Sequence, residues 1–232
     1  MAPVRPTRRR RVYSQPMGWR VIGRGVLLSL LALLGGCAST SRAGPASNAE
    51  LRSTMAAVYE AVERGDEARY RRLVQLPPGD AYSGALTTTM FESIRLHQAV
   101  ETVLRTPATA PASTKPIASL AAVDYRENAR AMVHAVQAWT FTVRGDRATI
   151  DQLAGQPGAP TLRRVNGRWM LVPTPWDTPR ETATYRLMVE SERRLSGALK
   201  SARGAVIDGR AKSIEDVNTI LRNLLAESTT KP

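Results

Sequence analysis

Cys37 is the one cysteine among 232 residues, and its thiol is the strongest nucleophile the chain offers. It follows Leu34, Gly35 and Gly36, an apolar residue and then two small enough for a peptidase cleft. The other reactive side chains are scattered. His97 and His134 are the two histidines, and a metal site would need both to converge with Glu92, Glu101 or Asp124. Both fall on apolar helical stripes, which suits structural histidines, so no metal is expected. Proton abstraction beside a carbonyl needs a carboxylate base in a dry pocket and an acidic hydrogen-bond donor for the oxyanion. Asp124 with Tyr82 or Tyr125 could supply that pair. Trp139, Phe141, Trp169 and Trp176 could line an apolar cavity, although aromatic residues on a sheet face more often pack a core. Arg163, Arg164 and Arg168 form a small basic patch that reads as a solvated face. The sequence has no G-x-S-x-G motif, glycine-rich phosphate loop or second cysteine, so no catalytic residue and no cofactor is assigned.

The surroundings of Cys37 give it a context. Arg20 and Arg24 precede an apolar run of Val26, Leu27, Leu28, Leu30, Leu31, Leu33 and Leu34. A basic start, a short apolar core and small residues before a cleavage point are the parts of a secretory signal. From Val21 to Gly36 the segment falls short of the roughly 20 apolar residues that span a bilayer. With Leu34, Gly35, Gly36 and Cys37 in that order, the stretch resembles a bacterial lipoprotein signal peptide with its lipobox. The resemblance implies export, cleavage before Cys37 and acyl chains on that thiol. Ala38 follows the cysteine where diderm inner-membrane lipoproteins carry aspartate, which implies an outer-membrane destination facing the periplasm if the host has one. Met1 to Pro16 adds Arg5 and the Arg8–Arg11 run, and Met17 would begin a well-proportioned signal by itself. Val12 to Gln15 does not match twin-arginine export.

Charge supports the same reading. The formal net charge is +13, but the seven arginines before Cys37, with no carboxylate beside them, leave +6 for the rest. That is not the footprint of a nucleic-acid binder, and no nucleic-acid partner is expected. It permits a weak, salt-sensitive attraction to anionic surfaces. With one cysteine there is no intrachain disulfide and no cysteine-ligated zinc.

Residues 37–48 are small, polar and broken by Gly44 and Pro45, as in a flexible tether. A single α+β domain is expected over 49–228. Its first helix, Glu50 to Arg64, carries Leu51, Met55, Val58, Tyr59 and Val62 on one stripe. Gly65 stops it, and Asp66 caps a short second helix from Glu67 to Leu76. Ala81 to Arg105 is expected as the longest helix, with Leu86, Met90, Ile94, His97, Val100 and Leu104 inward and Thr87 to Thr89 facing largely away. Thr106 to Thr114 is a loop. Ile117 to Ala138 is expected to be helical with Leu120, Val123, Ala131, His134 and Val136 inward, while Val133 and Val136 could instead begin a strand.

The pattern then switches to period two. Trp139 to Val143 and Arg147 to Asp151 flank Gly145-Asp146; Thr161 to Val165 and Arg168 to Val172 flank Asn166-Gly167, the strongest hairpin signal. Pairing puts Phe141 opposite Ile150, Val143 opposite Ala148, Leu162 opposite Leu171 and Arg164 opposite Trp169. The second hairpin, apolar on both faces, is expected to be the more central. Helices from Glu181 to Arg203, capped by Thr178 or Thr182, and from Ile214 to Ala226 complete the chain, with Gly204 and Gly209 bracketing the break between them. The fold class is therefore α+β: N-terminal helices on a small curved antiparallel sheet of about four strands, then C-terminal helices.

The helix of Ala56 to Asp66, ending in Arg64-Gly65-Asp66, together with the Gly145-Asp146 hairpin and the Val165-Asn166-Gly167-Arg168-Trp169 hairpin, is similar to the nuclear transport factor 2-like superfamily, and to its ketosteroid-isomerase-like and uncharacterised lipoprotein members. That resemblance covers roughly Leu51 to Val172. It implies a curved sheet wrapped around a pocket by helices, and no single activity. The family's sheet usually lies at the C-terminus, whereas here Glu181 to Ala226 follows it. Two functions are expected from this chain. The first is a membrane-anchored module of the cell envelope, held by lipid on Cys37, that binds an envelope protein or a small apolar ligand through Trp139, Phe141 and Trp169. The second is a small pocket isomerase or hydrolase.

Overall fold

Two tight turns fold the middle of the chain back on itself. At the first, Gly145 has φ +61 while Asp146 stays at negative φ, which suits a turn with glycine at its first central position. At the second, both Asn166 (φ 50) and Gly167 (φ 80) are left-handed, the pattern of an Asn-Gly type I′ turn. The strands they join are β1 (Phe141–Arg144), β2 (Arg147–Ile150), β3 (Thr161–Val165) and β4 (Arg168–Val172). They form one antiparallel sheet in the order β1-β2-β3-β4. The register is the one the alternation requires, with Phe141 opposite Ile150, Val143 opposite Ala148, Leu162 opposite Leu171 and Arg164 opposite Trp169. Ala148 lies opposite Leu162 and joins the two hairpins. The second hairpin supplies one inner strand, β3, and one edge, β4. A parallel bridge from Val74 to Leu171 meets that edge, and the Gln75 N–H donates to the Leu171 carbonyl at 2.8 Å.

The computed structural model describes residues 45–104, 124–156, 158–173 and 182–230. The expected signal segment, Met17, Leu34, Gly35, Gly36 and Cys37 lie outside the described residues. So do Ala38 to Gly44 of the tether, the loop at 106–114, Ile117 to Val123 with Leu120, and Trp176 and Thr178. The described residues all belong to one compact unit, Ser39–Pro232.

Among the described residues there are six α-helices, of which the first two pack against the sheet. They are α1 (Pro45–Arg64), α2 (Glu67–Leu73), α3 (Ala81–Val103), α4 (Tyr125–Ala135), α5 (Ala183–Ile207) and α6 (Ile214–Thr230). Helices precede and follow a four-stranded antiparallel sheet, so the fold is α+β. The first helix begins at Pro45 and not at Glu50, because proline is tolerated in a first turn, where its missing N–H has no partner to lose. Asp66 caps α2 by accepting the Arg69 N–H at 2.8 Å. That helix ends at Leu73, three residues short of expectation, because Val74 turns extended to meet β4. Thr182 caps α5, which runs past Gly204 to Ile207 and is the longest helix in place of α3. The break falls at Gly209 alone, with φ +70. At the start of α6 the Asp216 N–H donates to the Ser213 hydroxyl, and the Asp216 carboxylate accepts the Ser213 N–H at 3.0 Å. Aspartate thus completes the reciprocal cap usually made by glutamate.

Two expected stripes are corrected. In α3, Thr87 and Thr89 are buried and do not face away, while Leu86 and Met90 are half-buried and pack against the core as expected. The helix is covered on two sides. Phe91 and Ile94 pack with Val62 of α1 and Ala129 of α4, and Leu96 and Val100 pack with α5 and α6. The threonines enter the interior because their hydroxyls return to main-chain carbonyls, Thr87 to Ser83 at 2.8 Å and Thr89 to Ala85 at 3.2 Å. In α4, Ala129 and Val136 are buried, whereas Ala131 and His134 are exposed. The apolar positions there follow Tyr125, Ala129, Met132, Val133 and Val136, a helical series that ends in a short 3-10 turn, Val136–Ala138, and not in a strand.

Candidate functional site

The inward face of the sheet holds Phe141, Ala148, Ile150, Leu162 and Trp169, all buried. Trp139 joins them from the end of the 3-10 turn. Relative exposures of 7% for Trp139 and 1% for Phe141 make these two core residues rather than walls of an open pocket. The Trp139 ring meets Tyr59 of α1 edge-on at 6.3 Å, and its main-chain carbonyl accepts from Arg52 Nε at 2.8 Å. Burial pushes the Tyr59 phenol far above its ordinary pKa, so it stays neutral. Of the three aromatic residues assigned to a binding face, Trp169 alone borders a groove.

The isomerase pair does not assemble. Asp124 caps α4 through its Oδ1, which accepts the Arg126 N–H at 3.0 Å, and its carboxylate also accepts from the Arg126 guanidinium at 3.0 and 3.1 Å. Arg126 in turn donates to both oxygens of Glu101, at 2.8 and 3.0 Å. Burial alone would raise the Asp124 carboxyl, but the hydrogen bonds and charge of Arg126 outweigh it and hold the group below the usual carboxylate range. That is the opposite of what a base near neutrality needs. His97 is half-buried and carries an electrostatic interaction with Asp124, while His134 sits exposed on α4. Among the described residues no group of three His, Cys, Asp or Glu could hold a metal ion. Likewise, among the described residues no helix is long and apolar enough to cross a membrane.

A second polar cluster escaped the sequence reading. Asp80 precedes α3 and is buried; its carboxylate accepts from the Ser83 hydroxyl at 2.6 Å and from the Tyr185 hydroxyl at 2.9 Å. The Tyr185 oxygen accepts the Tyr82 N–H at 3.1 Å. One helical turn after Val189, Glu192 faces Thr89, whose hydroxyl proton is shared between the Ala85 carbonyl and the nearer Glu192 main-chain carbonyl at 2.9 Å. Burial raises the Glu192 carboxyl, and its Oε2 is shielded with no hydrogen-bond partner among the described residues. Burial, with the charge of Glu192 next, moves the Tyr82 phenol up to about 12. A raised carboxylate beside neutral phenols is the right chemistry for proton transfer, yet neither described groove includes Glu192, Tyr82 or Tyr125. The visible signal was Asp80 after Pro77-Pro78-Gly79, a capping residue behind a turn.

The two grooves are lined by arginines. The smaller, about 320 Å³, lies between Asp146, Arg147 and Arg163. Its charge is partly met within, because Arg163 Nε donates to Asp146 at 3.2 Å. The larger, about 670 Å³, lies where α2 passes the start of β4. Arg69, Arg72, Arg168, Asn166, Trp169 and Met170 line it, with Leu73 and Val165. Arg168 belonged to the expected basic patch. Its companion Arg163 instead lies across β3 in the smaller groove, and Arg164 donates to the Gly167 carbonyl at 3.3 Å. No protein-family model, curated protein or solved structure matches this chain.

Proposed function

We propose that this protein is an exported, lipid-anchored lipoprotein of the cell envelope whose folded domain acts by binding. The observation that carries the reading is the order Arg20, Arg24, apolar run, Leu34-Gly35-Gly36-Cys37. The Cys37 thiol is the nucleophile that accepts a diacylglyceryl group before the chain is cut, and the two acyl chains of that group give stable anchoring where one does not. The destination proposed is the outer membrane, facing the periplasm, in a host that has one. The reading of binding over catalysis is supported by the fate of Asp124, which is spent on a cap and an ion pair. Helices followed by an antiparallel meander are the part of the order that supports the proposed kinship with the nuclear transport factor 2-like superfamily, and α5 and α6, which follow the sheet, depart from it.

The test is fractionation with mass spectrometry of the mature N-terminus. The wild-type protein should sediment with membranes and begin at an acylated Cys37. Cys37→Ser should accumulate uncleaved or soluble. A Cys37→Ser protein that still reaches membranes as a processed mature chain overturns the assignment.

A further inference from the structure

The groove between α2 and β4 has no acid in its lining, whereas the smaller groove includes Asp146. Three guanidiniums border it, and Arg69 is the one among them that meets a carboxylate, Glu60 at 3.3 Å. Arg72 and Arg168 are exposed and have no acidic partner among the described residues. The bridge of Val74 to Leu171 sets this arrangement, because it holds the C-terminal end of α2, with Arg72 and Leu73, against β4, where Trp169 also lines the groove. Since the Leu171 main chain faces out to Gln75, strand alternation turns the Trp169 peptide group to the same side, toward the groove. Gln75 has already closed the edge at Leu171, so a docking strand would find a single peptide group to pair with. The site therefore suits a compact ligand, and about 670 Å³ lies in the range of small-molecule clefts.

We propose that this groove binds a phosphate ester. Guanidinium forks match the oxygens of a phosphate in paired hydrogen bonds, and several of them suit a group with more than one anionic oxygen. Leu73, Val165 and Met170 give the organic part of the ester an apolar wall. The ester can come from a lipid head group or from a soluble polyol phosphate. The inference rests on the reading of the domain as a binding module, but not on its anchoring.

The experiment uses the full chain in neutral dodecyl maltoside micelles and isothermal titration. One arm adds glycerol 3-phosphate; the other adds micelles doped with phosphatidylglycerol, with phosphatidylcholine as the control. Arg72→Gln/Arg168→Gln should lose about tenfold or more in affinity, since tenfold is about 1.4 kcal/mol and two charge-assisted contacts are removed. Arg144→Gln/Arg193→Gln removes the same charge from exposed sites elsewhere and should lose less than about twofold. Binding in the first arm assigns a soluble ester, and binding confined to phosphatidylglycerol assigns a lipid. No binding in either arm, or equal losses in both double variants at unchanged melting temperature, overturns the proposal. Because Cys37 is tested by fractionation, failure of the groove and failure of the anchor are told apart.

Discussion

The seam between α3 and α5 is polar at its start and apolar at its end. Tyr82 meets Tyr185 and Thr89 meets Glu192, each pair 103 residues apart, so the two helices run parallel in a constant offset. The same offset places Leu96 and Leu199, seven residues further along each helix, in one apolar cluster. At the polar end, Asp80, Ser83, Tyr82 and Tyr185 satisfy one another through directional bonds. At the apolar end, Leu96, Val100, Leu199, Ala202 and Val206 pack with Val217 and Leu221 of α6. Directional bonds hold only at one register, while apolar contact tolerates a small slide. The apolar end is therefore expected to contribute more of the free energy and the polar end to select the alignment.

The comparison is broken most severely at the apolar end. Leu199→Ala should cost about 2–5 kcal/mol, because a fully buried leucine leaves a cavity its neighbours only partly fill. Denaturant unfolding measures this, and a loss below about 1 kcal/mol would place the core elsewhere. At the polar end, Tyr185→Phe keeps the ring but removes the donor to Asp80 and the acceptor of the Tyr82 N–H. The expected loss is about 1–3 kcal/mol, the cost of leaving buried partners unsatisfied. Equal losses from Tyr185→Phe and Leu199→Ala would erase the distinction between the two ends.

The smallest effect sharpens the boundary between them. Glu192 has its folded-state carboxyl raised by burial. Its contribution is therefore fully present below the ordinary glutamate pKa of about 4.3 and is lost as pH rises through the raised folded value. Glu192→Gln should be slightly more stable than the parent at pH 7, and this gain should vanish near pH 3. Unfolding midpoints at both values check it. A gain that is the same at both pH values would mean that the glutamate's charge is not what the interior disfavours.

The sheet and α1 were legible before the structure. Alternation fixes a strand's face and two-residue turns fix its register, so Phe141, Ile150, Leu162 and Leu171 fell where they were expected. Leu51, Met55, Val58 and Val62 mark a single covered stripe, which periodicity reads directly. Thr87 and Thr89 were misread because α3 is covered on two sides, and periodicity reports one face at a time. The groove was half legible. Arg168 stood out beside Asn166-Gly167, but Arg69 and Arg72 reach it only through the bridge of Val74 to Leu171, a contact no local pattern announces. Trp139 and Phe141 show the converse: aromatic character was plain in the sequence, while depth below the surface was not.

The parallel run of α3 and α5 has a kinetic side. Parallel helices in one chain need a return path, and here that path includes α4 and the whole sheet. Each hairpin closes over two residues, an entropic cost met early, whereas the seam joins groups 103 residues apart. Condensing the intervening chain first shortens the effective loop, so docking of α5 on α3 is expected to follow closure of the two hairpins.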